Sequence, residues 1–318
     1  MNISREERIR GGLWGSLAGD ALGVPVEFMG RASLRENPVT GMREFGTHRQ
    51  PAGTWSDDGA LLLCSAESLV MGEFDTADMG SRFLRWMDKG LWTATGEVFD
   101  IGNATSNALS RIAMGTPAGE AGGCDELSNG NGSLMRILPV SLRFAAAPQA
   151  QLIDRAERAS AITHGHQRSR MACALHALVT ARLLDGAAPR AAVEAARADF
   201  TSVYAKSPEF PRFRALMEDD FVSLAADEIR STGYVLDTLH ASLWCLLTSD
   251  SSRGCMLKAV NLGGDSDTTC CVAGGLAGVV FGEESLPEEW INALPRHAEL
   301  KNLFASFVIT CRNAGISN

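Results

Sequence analysis

The sequence predicts an all-α protein with a single compact domain spanning residues 1–318, and three observations support this fold class. Apolar residues recur at helical spacing along most of the chain, several of these segments end at glycine, and we find no series of alternating strands. No Ser/Gly-rich linker divides the chain. A length of 318 residues with 45% hydrophobic content is sufficient for one large core.

The individual helices are predicted from their capping signals and periodicity. The capping box Ser4-x-x-Glu7 begins the first helix, and Gly72 terminates the second. The predicted helices run from this box to about Leu22, from Ser56 or Asp57 to the residue before Gly72, and over Thr76–Lys89, Ala104–Met114, Leu152–Ala161, Gln167–Asp185, Arg190–Tyr204, Gly233–Leu247, Arg253–Val260, Thr268–Phe281 and Lys301–Cys311. Three segments are predicted to be irregular: Thr40–Thr54, Gly115–Gly132 and Ser207–Arg214.

Composition argues against several classes of partner. The net charge of −9 disfavours binding to nucleic acid or to an anionic membrane. The longest apolar stretch, near Cys270–Phe281, is too short to span a bilayer, and the charged N-terminus lacks an apolar signal core. The eight cysteines form no C-x-x-C pair and lie mostly among apolar residues, which is typical of reduced thiols in a cytoplasmic protein.

Two acidic clusters lie far apart in the sequence, each at the expected start of a helix. The first is Ser56-Asp57-Asp58, and the second is Asp265-Ser266-Asp267-Thr268. Carboxylate and hydroxyl oxygens suit hard divalent cations such as Mg²⁺ or Mn²⁺, and the four carboxylates together would be enough for two ions. Taken singly, each cluster could equally be a helix cap. An EF-hand loop is excluded, because Cys270 and Leu276 occupy the positions that require Gly and Glu.

Two predicted helices, GGLWGSLAGDALG and VAGGLAGVVFG, contain many glycines. An interior glycine destabilises a helix by about 0.5–1 kcal/mol relative to alanine, so these glycines need a reason. Either two helices cross very closely, or the backbone approaches a ligand. We favour a close crossing at the centre of the protein, which would bring the two acidic clusters together.

Other polar segments have both a functional and an ordinary interpretation. The loop from Asn129 to Ser133 precedes an apolar run, so it is either a phosphate-binding turn before a helix N-terminus or a plain turn. Asn103 belongs to a second polar loop or to a helix cap. Glu27 lies among apolar neighbours, which suits a base or a metal partner, although an exposed glutamate is the ordinary alternative. The pair His164-x-His166 lacks further zinc ligands at suitable spacing.

Six segments considered together resemble a known family. In order they are GSLAGDALGVPVEF, GTWSDDGALLLCSAESL, FDIGNAT, NGNGSLMRILPV, THGHQRSRMACAL and VNLGGDSDTT. This set is similar to the ADP-ribosylglycohydrolase family over nearly the whole chain. The most specific features are the S-D-D and D-x-D-T motifs on either side of the N-G-x-G-x-x-M-R loop.

The resemblance implies an all-helical domain with two Mg²⁺ or Mn²⁺ ions in a central cleft that binds ADP-ribose. It implies metal ligands in both acidic clusters, a diphosphate-binding loop and a glutamate that reaches the metal site or its water. The matching positions are Ser56, Asp57, Asp58, Asp265, Asp267 and Thr268 for the ions, Glu27, Asp57, Asp58 and Asp267 for catalysis, and Asn103, Gly130, Asn131, Gly132, Ser133 and His164 for the substrate.

Two positions depart from the family pattern. Gly59 follows the first acidic cluster, where relatives commonly have Thr or Ser, so a supporting hydroxyl is missing. Ser106-Asn107 follows the FDIGNAT segment, where an arginine is frequent, which bears on the surroundings of the distal ribose.

The implied activity is hydrolysis of the glycosidic bond between ADP-ribose and a target. The target would be an ADP-ribosylated protein side chain such as arginine, or a small-molecule conjugate. Two alternatives stay open: a two-metal phosphohydrolase that acts on the diphosphate, and a non-catalytic ADP-ribose-binding or structural protein on the same scaffold. The sequence does not indicate which linkage is cleaved.

Overall fold

Helices make up the regular secondary structure of residues 3–218 and 220–314, which are the residues that the computed structural model describes. Within this part there is no β-strand, and only two isolated bridges occur, which confirms the predicted all-α class. The helices are α1 (Arg5–Gly23), α2 (Arg31–Glu36), α3 (Asp57–Met71), α4 (Thr76–Lys89), α5 (Asn103–Ala113), α6 (Leu138–Arg143), α7 (Gln149–Ala161), α8 (Gln167–Leu184), α9 (Pro189–Tyr204), α10 (Arg214–Met217), α11 (Val235–Leu247), α12 (Ser252–Val260), α13 (Ser266–Phe281), α14 (Glu288–Ala293) and α15 (His297–Ala314).

The long helices agree with the sequence prediction, and the short ones were missed. The capping box of α1 is present: the hydroxyl oxygen of Ser4 accepts from the N–H of Glu7 at 3.2 Å, and the carboxylate of Glu7 accepts from the N–H of Ser4 at 2.6 Å. α4 has both of its predicted ends. The four unpredicted helices, α2, α6, α10 and α14, contain only four to six residues, so they are too short to show helical periodicity.

α1 and α13 run antiparallel at the centre of the protein, and small residues line their contact. Glycines at four-residue spacing lie on the face of α1 that meets α13, where backbone meets backbone. A methyl group added to any of them would overlap main-chain atoms of α13. The overlaps are Gly11 with Gly278, Gly15 with Gly274, Gly19 with Cys270 and Gly23 with Asp267. The predicted close crossing is therefore confirmed.

The crossing also brings the segment after α1 against the segment before α13. Gly263 and Gly264, just before α13, have φ of 71° and 69°, a left-handed conformation that glycine adopts readily. Gly264 then exchanges two backbone hydrogen bonds with the chain beyond α1: its carbonyl accepts from Phe28 at 2.7 Å, and its N–H donates to Met29 at 2.9 Å. As a result, the segment that carries Glu27 lies against the start of α13.

Larger side chains close the core around this pair. Trp14 of α1 packs edge-on against Phe304 of α15, with ring centroids 4.8 Å apart. α8 is buried along most of its length and packs against α7 and α9. Across the described part of the chain, we find no helix that combines the length and the apolar character needed to cross a membrane.

Replacing Gly19 with alanine should destabilise the protein, because the new methyl group would overlap the carbonyl of Cys270. Overpacking of this kind typically costs about 1–3 kcal/mol. We expect a loss of that size in the free energy of unfolding, measured by urea denaturation. The matched control is Gly72→Ala, where a methyl group meets no atom within 4 Å. Equal unfolding free energies for the two variants would contradict a rigid backbone contact between α1 and α13.

Candidate active site

A polar cleft of about 320 Å³ lies where the segment after α1 meets the N-terminal ends of α3, α5 and α13. Its walls bring both acidic clusters, Glu27 and the loop around Asn131 into one space. The lining residues are Glu27, Phe28, Asp57, Asp58, Asp100, Gly102, Asn103, Ala104, Thr105, Leu127, Gly130, Asn131, Gly132, Met135, His164, Gly233, Asp265 and Thr268. Most of the residues that the sequence singled out therefore face the same cleft.

The first acidic cluster is positioned by a carboxylate that the sequence analysis did not identify. Asp20, on α1, is completely buried and accepts hydrogen bonds from the backbone N–H groups of Ser56, at 3.0 and 3.1 Å, and Gly59, at 2.8 Å. These N–H groups belong to the N-terminus of α3, where a negative charge is favourable. Burial raises the pKa of Asp20 to about 7, while the two backbone hydrogen bonds act in the opposite direction. Asp20 thus links α1 to the helix that carries Asp57 and Asp58.

The two acidic clusters meet at the base of the cleft. The hydroxyl of Thr268 lies 3.5 Å from a carboxylate oxygen of Asp58, to which the hydroxyl of Ser56 also donates at 3.2 Å. Asp267 is fully buried, and its carboxylate oxygen Oδ1 accepts from the N–H of Thr268 at 2.9 Å. Residues about 210 positions apart in the sequence are therefore neighbours, as the glycine-rich helices predicted.

The clustered carboxyl groups are short of hydrogen-bond partners. Within the described part of the chain, one buried oxygen each of Asp58, Asp265 and Asp267 has no donor. Burial, reinforced by repulsion between neighbouring carboxylates, raises the pKa of Asp57, Asp58 and Asp267 well above the usual range. Unpartnered oxygens in a concentrated negative charge are a suitable environment for hard divalent cations, which compensate charge and supply the missing contacts.

Glu27 is buried, contrary to the ordinary alternative of an exposed glutamate. Its side chain is 4% exposed and lies close to Asp265 and Asp267, with one oxygen of each within 4.8 Å of the others. Its carboxylate is in hydrogen-bond contact with Nε2 of His48, which also lies 3.8 Å from Asp100. Burial raises the pKa of Glu27 to about 7, although the hydrogen bond from His48 opposes this rise. The hydrogen bond to Glu27 raises the pKa of His48.

The loop from Asn129 to Ser133 reaches the second acidic cluster, but its local structure differs from the prediction. The amide of Asn131 donates to Asp265 and to Thr238, each at 2.9 Å, and the backbone N–H of Asn131 donates to Gly233 at 3.0 Å. The helix expected directly after the loop is absent, because the chain makes turns until α6 begins at Leu138. The loop is therefore not followed directly by a helix N-terminus.

The two histidines of the His164-x-His166 segment have separate environments. His164 lines the cleft, and burial, with a further contribution from Arg136, lowers its pKa to about 3, so the ring is neutral. His166 caps α8, because its ring nitrogen Nδ1 accepts from the N–H of Arg168. Its ring also lies near Glu126 and Glu209, with one side-chain atom of each residue within 4.8 Å of the others.

The two departures from the family pattern have local explanations. Gly59 has no room for a side chain, because a methyl group there would lie 2.8 Å from Leu17 and from the ring of Trp55. The wall of the cleft on α5 is formed by residues 103–105, so Ser106 does not line it. Neither departure removes a residue from the acidic clusters.

Other residues in or behind the cleft carried no sequence signal. Asp100 and His48 become recognisable only when their segments meet Glu27, and Asp20 only when α1 packs against α3. Phe28 and Leu127 also line the cleft, and both residues are largely exposed, at 67% and 94%.

Comparison with known proteins agrees with these features. The family model for ADP-ribosylglycohydrolase matches residues 1–315. The chain is 32% identical over 298 residues to ADP-ribosylarginine hydrolase Tri1 of Pseudomonas putida (strain GB-1), covering 93% of this chain and 76% of that protein. It is 28% identical over 307 residues to ADP-ribosyl-[dinitrogen reductase] glycohydrolase of Rhodospirillum rubrum, covering 93% of both chains.

A solved structure supports the same relationship. The structure titled ADP-ribosylglycohydrolase-related protein complex superimposes with a TM-score of 0.82 at 33% identity, covering 97% of this chain and 99% of that chain. Fold, motif order and sequence similarity agree across nearly the whole length. The chain therefore belongs to the ADP-ribosylglycohydrolase family and is an ADP-ribosyl glycohydrolase.

Proposed function

We propose that this enzyme releases ADP-ribose from ADP-ribosylated arginine side chains. The observation that carries the proposal is the convergence of Glu27 and both acidic clusters on one cleft, within a chain similar to an ADP-ribosylarginine hydrolase. The guanidinium group of arginine is cationic, which suits a cleft lined by Glu27, Asp57, Asp58, Asp100 and Asp265. The reaction adds water at the anomeric carbon and breaks its bond to the guanidinium nitrogen, giving free ADP-ribose and arginine.

The acidic clusters fit two Mg²⁺ or Mn²⁺ ions. The donor set consists of oxygens only, and three buried carboxylate oxygens of the described residues are without a partner, as hard cations would require. The residues that would hold the ions are Ser56, Asp57, Asp58, Asp265, Asp267 and Thr268. When bound, such ions compensate the carboxylate charge, orient oxygen groups of the substrate and lower the pKa of water.

The protein's own groups would divide the remaining work. Glu27 is the candidate base, because a buried carboxyl with a pKa near 7 can accept a proton from water at neutral pH. Gly130 and Gly132 line the cleft and would meet the diphosphate, whereas the N–H of Asn131 already bonds to Gly233. Ser133, which the resemblance also assigns to the substrate, is buried outside the cleft lining, and its hydroxyl accepts from Ser160 at 2.9 Å. Neutral His164 and Asn103, which both line the cleft, would contact the ADP-ribose without adding charge.

Metal binding can be measured without any assay of activity. Calorimetric titration of the protein with Mn²⁺ or Mg²⁺ should give saturable binding, and Asp58→Asn or Asp267→Asn should weaken it at least about tenfold, because each removes a carboxylate from the shared site. Asp250→Asn, at an exposed surface position, is the control. Identical affinities for all four proteins would contradict the assignment of these clusters.

The linkage can be tested with defined substrates. Peptides ADP-ribosylated on arginine or on serine, and an acetyl ester of ADP-ribose, would be incubated with the enzyme, and the products separated by chromatography. We expect free ADP-ribose, with the highest kcat/KM for the arginine conjugate. AMP as the product would indicate a phosphohydrolase, and ADP-ribose binding without turnover would indicate a binding protein. A preference for another conjugate would refute the arginine assignment alone.

Glu27→Gln should lower turnover far more than it lowers ligand affinity. The substitution retains the shape of the side chain but removes the base, and general-base catalysis typically contributes about 10²–10⁴-fold. We expect kcat to fall within that range while the affinity for ADP-ribose, measured by calorimetry, changes little. Glu36→Gln, on the exposed surface of α2, is the control. Turnover by Glu27→Gln at the parent rate would assign the base to another group.

A further inference from the structure

Strained backbone is concentrated around Glu27. Six non-glycine residues of the described chain have a left-handed φ, and four of them lie in the three segments that meet at Glu27, His48 and Asp100. Such a conformation is unfavourable for a residue other than glycine and persists only where the surrounding structure holds it in place. The four residues are Phe28 (φ 62°), Phe45 (φ 52°), Arg49 (φ 55°) and Asp100 (φ 59°).

The loop that carries His48 is attached to the Glu27 segment by its backbone. The N–H of Thr47 donates to the carbonyl of Pro25 at 3.0 Å, and the hydroxyl of Thr47 donates to the carbonyl of Glu27 at 2.7 Å. Gly46 packs so tightly that a methyl group there would overlap the carbonyl of Pro25. Phe45 and Arg49, which have a left-handed φ, flank residues 46–48 and turn the chain there. The loop therefore directs the side chain of His48 towards Glu27.

The side chain of His48 lies behind the cleft instead of in it. It is 14% exposed and is absent from the residues that line the cleft, while Glu27 and Asp100 both line it. Nε2 is in contact with the carboxylate of Glu27 and lies 3.8 Å from Asp100, and the ring packs beside Phe99 with centroids 5.2 Å apart. Any influence of His48 on a bound substrate must therefore pass through these two carboxylates.

We propose that His48 is the positioning residue of this enzyme, fixing the carboxylate of Glu27 in the orientation that the reaction uses. This role rests on the proposed function of Glu27 as the base. Asp265 and Asp267 lie close to Glu27 and repel it, so without a donor behind it the buried carboxylate would lack both a partner and a defined direction. Asp100 lies near the same ring nitrogen, 3.8 Å from Nε2, so the imidazole faces both carboxylates with one edge.

The size of the expected effect follows from geometry. A displacement of about 1 Å in a catalytic group can lower the rate about 10²-fold. Losing the contact from His48 should therefore reduce kcat by about that factor. The binding of ADP-ribose should change little, because His48 does not touch the cleft.

The experiment compares two amides at this position. His48→Gln places an N–H donor near the position of Nε2, whereas the side chain of His48→Asn is one methylene shorter and does not reach Glu27. We expect His48→Asn to lose about 10²-fold in kcat on ADP-ribosylarginine peptide with little change in KM, and His48→Gln to recover most of that loss. Equal kcat values for the two variants would overturn the proposal. Thermal unfolding of both variants shows whether either has lost the fold.

A double-mutant cycle then identifies the residue through which His48 acts. In the Glu27→Gln background, His48→Asn should lower kcat by less than about threefold, because the carboxylate it positions is already gone. A full and additive loss would overturn the proposal and give His48 a separate role.

The failure of the proposed function and the failure of this role can be told apart. If the parent enzyme releases no ADP-ribose at all, the proposed function fails and the role of His48 fails with it. If the parent enzyme is active and the effects of the two substitutions on kcat are additive, only the role of His48 fails.

Discussion

The close contact between α1 and α13 is the constraint on which the active site depends. Because glycines allow the two backbones to touch, the end of α1 reaches the main chain of Asp267. Glu27, four residues beyond Gly23, is thereby placed against the second acidic cluster. From the same helix Asp20 binds the N-terminus of α3, which carries the first cluster. One helix thus positions three acidic segments that lie far apart in the sequence.

This arrangement concentrates carboxyl groups that would repel one another elsewhere. Burial raises the pKa of Asp57, Asp58 and Asp267 well above the usual range, so the site favours bound protons or cations. The backbone contacts that create the cluster, between α1 and α13 and between Phe28 and Gly264, involve no carboxylate. The packing of α1 against α13 is therefore largely separate from the charge that the cleft concentrates, whereas α3 is held through the carboxylate of Asp20.

The sequence predicts features that are encoded locally and misses those that arise from tertiary contact. The ends of α4, the capping box of α1 and the glycine-lined crossing were predictable, because caps and glycine spacing are local signals. The short helices lack enough residues for periodicity. The helix expected after Ser133 is replaced by turns, since the amide and backbone of Asn131 bond to distant residues instead. The roles of Asp20 and His48 likewise come from partners on other segments.

Gly59, where the family resemblance implies threonine or serine, is fitted to its surroundings in this protein. Its N–H donates to Asp20, a contact that any residue type except proline provides, so the capping of α3 does not depend on a hydroxyl there. The space that a side chain would need is taken by Leu17 and Trp55. Introducing serine or threonine alone would force these core residues to move and would displace α3 relative to α1. The glycine and its bulky neighbours therefore form one packing unit, which keeps Asp57 and Asp58 directed into the cleft.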